Sequence, residues 1–394
     1  MEEILYRFNP WWEGGKAAKG AIEREKYTSR LLKLLPLKEV VFITGLRRVG
    51  KTTLMKLLIE KLIERGVPPG RIFYISLDFY GLEKLSIIEI VELFYKIQEI
   101  PFGEKTYLFL DEVAYKEKFA LQLKNIYDLY NAKVYASSSS SSILKEEKAL
   151  LTGRERVVEV LPLDFFEFLK FRGIEVKKAD GHILEKKFER YMEVGGIPQF
   201  VLTEDPEYIK QLIDDILYKD IVGRHGVKER SLLRDFFRLL MERAGKQVSV
   251  NKLSKVLGIS PDTARRFLGY FEETFTVYTV ERCGKLNERI KSPKKLYAGD
   301  VGIRNAVTGF RDKGAVFENI VYLTIKHLQP CYLQENSVEI DFFTGERLIE
   351  VKFNEELREK QRELFERFKA KEKLVITSPR DYLKLLKELH YKEG

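Results

Sequence analysis

Cysteine is nearly missing from this chain: Cys283 and Cys331 are the only two in 394 residues. They form no zinc-ligand spacing and no disulfide framework of the kind small secreted domains use, so a reducing cytosol is their simplest setting. Tryptophan is as scarce, and its two copies stand side by side at Trp11 and Trp12. Long apolar runs are absent too. Nothing approaches the ~20 residues that a membrane-spanning helix needs. The opening MEEILYRF is acidic and lacks the apolar centre of a signal peptide. An intracellular, soluble, cytoplasmic protein with no membrane partner is expected.

What is present is an ordinary apolar fraction, 44%, on a chain too long for one core. About two or three domains are expected at this length. Lys plus Arg outnumber Asp plus Glu by 69 to 60, a net charge of +9 with 33% of residues charged. A basic excess fits a polyanionic partner. Abundant Lys, Arg and Glu also marks heat-stable proteins, and composition alone does not separate the two.

The most informative stretch is 39–54. Val40, Val41, Phe42, Ile43 and Thr44 read as a buried parallel strand. Gly45, Leu46, Arg47, Arg48, Val49, Gly50, Lys51 and Thr52, followed by Thr53, match the phosphate-binding loop G-x-x-x-x-G-K-[ST]. An apolar helix pattern follows through Leu54, Met55, Leu57, Leu58 and Leu62. Strand, loop and helix come in the order that the physics requires: backbone N–H groups and the helix N-terminus face an anion. Lys51 would reach the β- and γ-phosphates of ATP, and the Thr52 hydroxyl would hold Mg2+.

Further along the same β/α alternation, the apolar strand Tyr107–Leu110 ends in Asp111 and Glu112. Asp111 suits magnesium, directly or through water. Glu112 suits a general base for the attacking water. The next strand, 132–136, runs into serines 137–142 ahead of a helix marked by Ile143, Leu144, Ala149 and Leu150. Ser137 and Ser139 are candidates to sense the γ-phosphate, or they cap and turn the chain as serine commonly does. Upstream, Asn9, Pro10, Trp11 and Trp12 read as an aromatic anchor, with base stacking as the alternative. Arg154 and Arg156 read as salt-bridged surface residues or as contacts to a nucleotide across a subunit interface.

Residues 182–246 read as helical, interrupted at Gly195-Gly196-Ile197-Pro198. From 246 a short strand, a helix, a turn at Gly258, and a helix capped by Ser260 with Pro261 at its first position suggest a helix-turn-helix. Two strands follow, 276–282 and 294–298, with a basic wing of Lys285, Arg289, Lys291, Lys294 and Lys295 able to neutralise phosphates.

The last segment places Glu318 on a helix, and Glu339 and Asp341 on one side of a strand. Glu350 and Lys352 share a side of the next strand. A carboxylate followed by E-x-K is a nuclease constellation. Asp341 and Glu350 could hold Mg2+, Glu318 could complete the site, and Lys352 could orient water. The same pattern also fits a solvated charged face, or a nuclease-like fold used only for binding.

Together NPWW, GLRRVGKTT, FLDEV, the serine run, LTGR, LPLDFFEFL, GGIP and EIDF…IEVK resemble an archaeal family of AAA-type ATPases with a winged helix and a C-terminal PD-(D/E)XK nuclease-like domain. The resemblance spans nearly the whole chain. It implies an α/β fold: a P-loop parallel-sheet domain over 1–170, a helical lid over 171–245, a winged helix-turn-helix over 246–312 and a nuclease-like domain over 313–394. It further implies that Lys51, Thr52, Asp111 and Glu112 serve ATP and Mg2+, that Glu318, Asp341, Glu350 and Lys352 form a nuclease core, and that DNA and a second copy of the chain are partners. Ala114, Phe119 and Ser138 depart from the family's pattern. The expectation is a magnesium-dependent ATPase acting on DNA, with cleavage by the C-terminal domain open. The alternative is a nucleotide-gated switch that touches no DNA.

Overall fold

In the computed structural model, which describes residues 1–141, 151–175 and 181–393, the apolar run Val40–Thr44 is strand β1 and is buried at every position. With β2 (Ile72–Ser76), β3 (Thr106–Asp111), β4 (Ala132–Ser138) and β5 (Glu155–Glu159) it forms one parallel sheet in the order β2-β3-β4-β1-β5. Helices Lys51–Glu64, Ile87–Ile97 and Phe119–Leu129 make the crossovers. Strands β1 to β4 are therefore buried at nearly every position, while the edge strand β5 keeps Arg156 and Val157 exposed. The helix expected from Ile143, Leu144, Ala149 and Leu150, and Ser142 at the end of the serine run, lie outside the described residues.

The N-terminal segment shields the edge strand β2, whose outer backbone groups would otherwise lie open for pairing. The Asn9 side chain is fully buried and donates to the carbonyl oxygens of Leu5 at 2.7 Å and Tyr74 at 2.9 Å. It also accepts from the Tyr74 backbone N–H at 2.7 Å. The indoles of Trp11 and Trp12 both donate to the Ile72 carbonyl, at 3.1 and 2.9 Å. These are the contacts of an anchor.

The chain divides into two compact units, Met1–Val160 and Leu161–Gly394. In the second, helices Gly181–Val194, Pro198–Thr203, Pro206–Asp214 and Arg230–Glu242 precede a three-stranded antiparallel sheet, with a π-helix at Asp215–Val222. The continuous helix expected beyond Pro198 is broken twice. Pro206 restarts it behind the Asp205 cap, and Gly226 (φ 63°) ends it in the left-handed region. Helices Val250–Leu257 and Pro261–Glu273 turn at Gly258, and Ser260 caps the second through the Thr263 N–H at 3.1 Å. Strands β6 (Gln247–Val248), β7 (Val277–Val280) and β8 (Lys294–Ala298) pair in the order β6-β8-β7. Between β7 and β8 the expected basic wing contains a short helix, Leu286–Lys291.

The C-terminal sheet is ordered β12-β11-β10-β9, from β9 (Cys331–Glu335), β10 (Val338–Phe343), β11 (Arg347–Val351) and β12 (Glu372–Ile376). Only β11 and β12 are parallel. Helix Lys313–Ile325 packs on it, and one core runs from Leu163 and Phe188 through Val280, Tyr297 and Phe317 to Tyr382. Shared burial of this kind makes 161–394 one body. No helix among the described residues is long and apolar enough to cross a membrane.

The cysteines correct the reading from composition. Cys283 and Cys331 form a disulfide across a separation of 48 residues. No spacing rule reveals such a pair, because the tertiary fold makes it: the chain leaving β7 lies beside β9, where Arg282 bridges to Tyr332. In the chain-entropy account a loop of this length is worth about 4 kcal/mol. Intracellular disulfides are ordinary only in hyperthermophiles, so the cysteines no longer argue for a reducing compartment.

Candidate functional site

The loop after β1 is built as its residue types require. Gly45 has φ 136°, and a Cβ there would sit 2.2 Å from the Val160 carbonyl oxygen, so no other residue fits. Leu46 and Val49 are buried and root the loop in the core. Gly50 (φ 98°) turns the chain into helix Lys51–Glu64. Lys51 is 6% exposed, and its ammonium donates to the carbonyl oxygens of Gly45 at 2.9 Å and Leu46 at 3.1 Å. The loop thus holds a cation at its centre, at the positive end of a helix. Thr53 lies exposed in the first turn, and Arg47 and Arg48 are half-buried. Arg24, unforeseen in the sequence, braces the loop from outside: its guanidinium donates to the Val49 carbonyl at 3.0 Å and stacks 4.6 Å from the centre of the Tyr27 ring.

Sheet order then brings the remaining candidates to the same edge. Asp111 ends β3, Ser137 lies near the end of β4, and both strands finish beside the loop. The Asp111 carboxylate is 2% exposed. One oxygen accepts from the Thr52 hydroxyl at 2.6 Å and from the Tyr74 hydroxyl at 2.9 Å, and the other accepts from Ser137. Ser137 in turn accepts from the Glu112 backbone N–H at 2.9 Å. That bond helps hold Glu112 in the left-handed region, φ 54°, a conformation costing about 1–2 kcal/mol for such a residue. The Ser139 hydroxyl lies 3.2 Å from the Glu112 carboxylate. Burial raises the Glu112 pKa above the usual glutamate value, with Lys51 pulling the other way. A raised pKa suits a proton acceptor working near neutrality. The hydroxyl and carboxylate at the mouth of the loop are hard oxygen donors of the kind magnesium takes, so these residues fit a magnesium nucleotide. Arg154 and Arg156 instead pair with Asp128 at 3.4 Å and Glu39 at 3.2 Å.

Tyr74 was invisible as a site residue in the sequence. Its signal lies in the pairing: Ser76 of β2 is opposite Asp111 of β3, and Tyr74 is two residues back on the same face.

In the second unit the structure also gathers Glu318, Glu339, Asp341, Glu350 and Lys352. Among the described residues, however, no group of three or more His, Cys, Asp or Glu is arranged to hold a metal ion. The centre of the cluster is taken by the ammonium of Lys295, which is 2% exposed. It lies 2.7 Å from Glu318, 2.5 Å from Glu339 and 2.7 Å from Asp341. Burial opposes its charge, but Asp341, Glu318, Tyr297 and Glu339 together outweigh it and hold its pKa well above the ordinary lysine value. Burial and the neighbouring Asp341 raise the pKa values of Glu318 and Glu350. Lys352 pairs with Glu350 at 2.7 Å. Lys295 therefore does not belong to a solvent-facing basic wing. Arg289 and Lys294 remain exposed and pair with Glu281, at 2.6 and 3.6 Å.

Residues 37–169 match the family model described as AAA domain, a span that contains the loop, Asp111, Glu112, Ser137 and Ser139. Residues 185–314 match a domain of unknown function (DUF8612). An uncharacterized protein of Methanocaldococcus jannaschii is 28% identical over 368 residues, covering 87% of this chain and 80% of that protein. One from Haemophilus influenzae is 27% identical over 345 residues, covering 82% and 84%. Among solved structures, a Walker-type ATPase of Pyrococcus abyssi is 16% identical over 74% of this chain and 98% of that one, with a TM-score of 0.45. The Aeropyrum pernix ORC1 protein in complex with DNA is 12% identical over 74% and 94%, with a TM-score of 0.36. Scores of this size leave the fold to be argued from the chain's own strands and loop. The 37–169 region is AAA-type and P-loop ATPase-like.

Proposed function

We propose that this chain is a magnesium-dependent ATPase whose first unit binds and hydrolyses ATP. The observation that carries the reading is the hydrogen-bonded chain from Thr52 through Asp111 to Ser137 and the Glu112 backbone, set beside a loop that already centres a lysine ammonium. Backbone N–H groups of 45–52 would cradle the phosphates, and Lys51 would exchange its carbonyl partners for β- and γ-phosphate oxygens. Thr52 and Asp111 would hold Mg2+, which supplies charge neutralisation at the transferred phosphoryl group. Glu112 would accept a proton from the attacking water, with Ser139 setting the direction of its carboxylate.

Action on DNA is the further part of the proposal. It is supported by the net charge of +9 and by exposed Arg266, Lys285 and Lys291 around the helix pair and the segment between β7 and β8. Metal-dependent cleavage is not included, because Lys295 stands where a metal would.

Phosphate release should be measured with and without duplex DNA over a salt series. Turnover is expected in the native chain, and Glu112→Gln should reduce it by about a hundredfold or more. Stimulation by DNA that declines with rising salt is expected. Equal rates in the variant refute hydrolysis at this site. No DNA effect at low salt favours the nucleotide-gated switch.

A further inference from the structure

The carboxylate cluster of the second unit is a network built around an ammonium rather than a set of open ligands. Lysine carries three donors, and Lys295 spends them on three carboxylates, those of Glu318, Glu339 and Asp341. Most of the remaining oxygens are engaged as well. The second Asp341 oxygen accepts from the Val351 backbone N–H at 2.9 Å. The second Glu339 oxygen accepts from Gln247 at 2.6 Å, while the Tyr297 hydroxyl donates at 2.6 Å to the same Glu318 oxygen that Lys295 meets. Glu350 accepts from the Asp341 backbone N–H at 3.1 Å, from Gln361 at 3.1 Å and from Lys352.

Lys295 is not a swinging surface side chain. It sits on β8, the middle strand of its sheet, opposite Gln247 of β6 on one side and Val280 of β7 on the other. Its neighbours Leu296, Tyr297 and Ala298 are fully buried. The pairing fixes its backbone, and burial of the side chain, 2% exposed, restricts where the stem can carry the ammonium. A divalent ion at the same carboxylates would lie within a few ångströms of a fixed positive charge, which low-dielectric surroundings make prohibitive.

We propose that Lys295 is the resident cation of this cluster. Its ammonium replaces the divalent metal that a D…E-x-K constellation would otherwise hold. The C-terminal sheet thereby serves as a metal-free seat for β8, and removing the ammonium turns the cluster into a divalent-cation site. The inference is independent of ATP hydrolysis in the first unit.

Mn2+ alone is the probe, titrated into the nucleotide-free full chain and followed by the paramagnetic resonance of the free ion. In the native chain Asp341→Asn should leave the binding curve unchanged. Lys295→Met keeps the length of the stem and removes the charge. It should gain one site at least tenfold tighter than any in the native chain, and Lys295→Met with Asp341→Asn should lose it. Asp341-dependent Mn2+ binding to the native chain overturns the proposal, as does a folded Lys295→Met that gains no site. Where Lys295→Met does not fold, reductive methylation of the native chain decides. Lys295 should stay unmodified with and without millimolar Mn2+. Methylation that appears only with the metal shows that the ammonium yields its place, and refutes the proposal.

Discussion

Tyr74→Phe isolates one hydrogen bond to the carboxylate at the centre of the proposed ATP site. The Tyr74 hydroxyl donates to Asp111 at 2.9 Å, and the residue is 3% exposed. Phenylalanine keeps the ring, its contact with Phe8 and the volume, so no cavity opens. A hydrogen bond to a charged group contributes about 1.5–3 kcal/mol, which puts the expected loss near 2 kcal/mol. Both tryptophans of the chain pack on β2, so their emission reports unfolding of the first unit. With a urea slope of roughly 2 kcal/mol per molar, the midpoint should fall by about 1 M. Partners that orient a metal-binding side chain commonly change metal affinity by about 10–100-fold, so half-maximal ATP turnover should need correspondingly more Mg2+. A midpoint within about 0.2 M of the native value, together with an unchanged Mg2+ dependence, would show that Asp111 does not rely on this donor.

Two further outcomes follow from buried polar groups. Asn9→Ala strips the Tyr74 backbone of two partners. At about 1–3 kcal/mol for each buried group left unpaired, the tryptophan-detected midpoint should drop by more than in Tyr74→Phe. Asp300 accepts from the Gly196 and Ile303 N–H groups, and burial pushes its pKa up to about 6. Its unfolded value is about 3.9, so the folded state binds the extra proton. Its stabilising contribution is complete below about pH 4 and fades as pH rises through about 6. Circular dichroism in urea should show that decline in the native chain, and Asp300→Asn should lack it.

The first unit was legible because its signals are local. Four buried strands, a glycine loop and an acidic strand end each declare themselves within a few residues, and right-handed crossovers restrict how such strands assemble. Strand order is not local. Only once β2 is known to lie beside β3 does Tyr74 fall next to Asp111. The second unit was less legible for the same reason. Lys295 looks like one more basic residue until β8 brings it to Asp341, 46 positions away. Its two-residue spacing from Tyr297 within an otherwise buried strand was the available hint. Cys283 and Cys331 likewise become partners only through the packing around β9. Strand alternation sets Glu339 with Asp341 and Glu350 with Lys352, but it is silent on Glu318, which comes from a helix, and on the ammonium that sits among them.

The central claim is that the loop after β1 grips a triphosphate through Lys51. Equilibrium binding of a fluorescent ATP analogue with Mg2+ tests it directly, comparing the native chain with Lys51→Ala. Removing a charge-assisted contact worth about 3 kcal/mol should weaken binding by about a hundredfold while the tryptophan-detected fold persists. Equal affinity in the two proteins, or no binding by the native chain, would contradict the account.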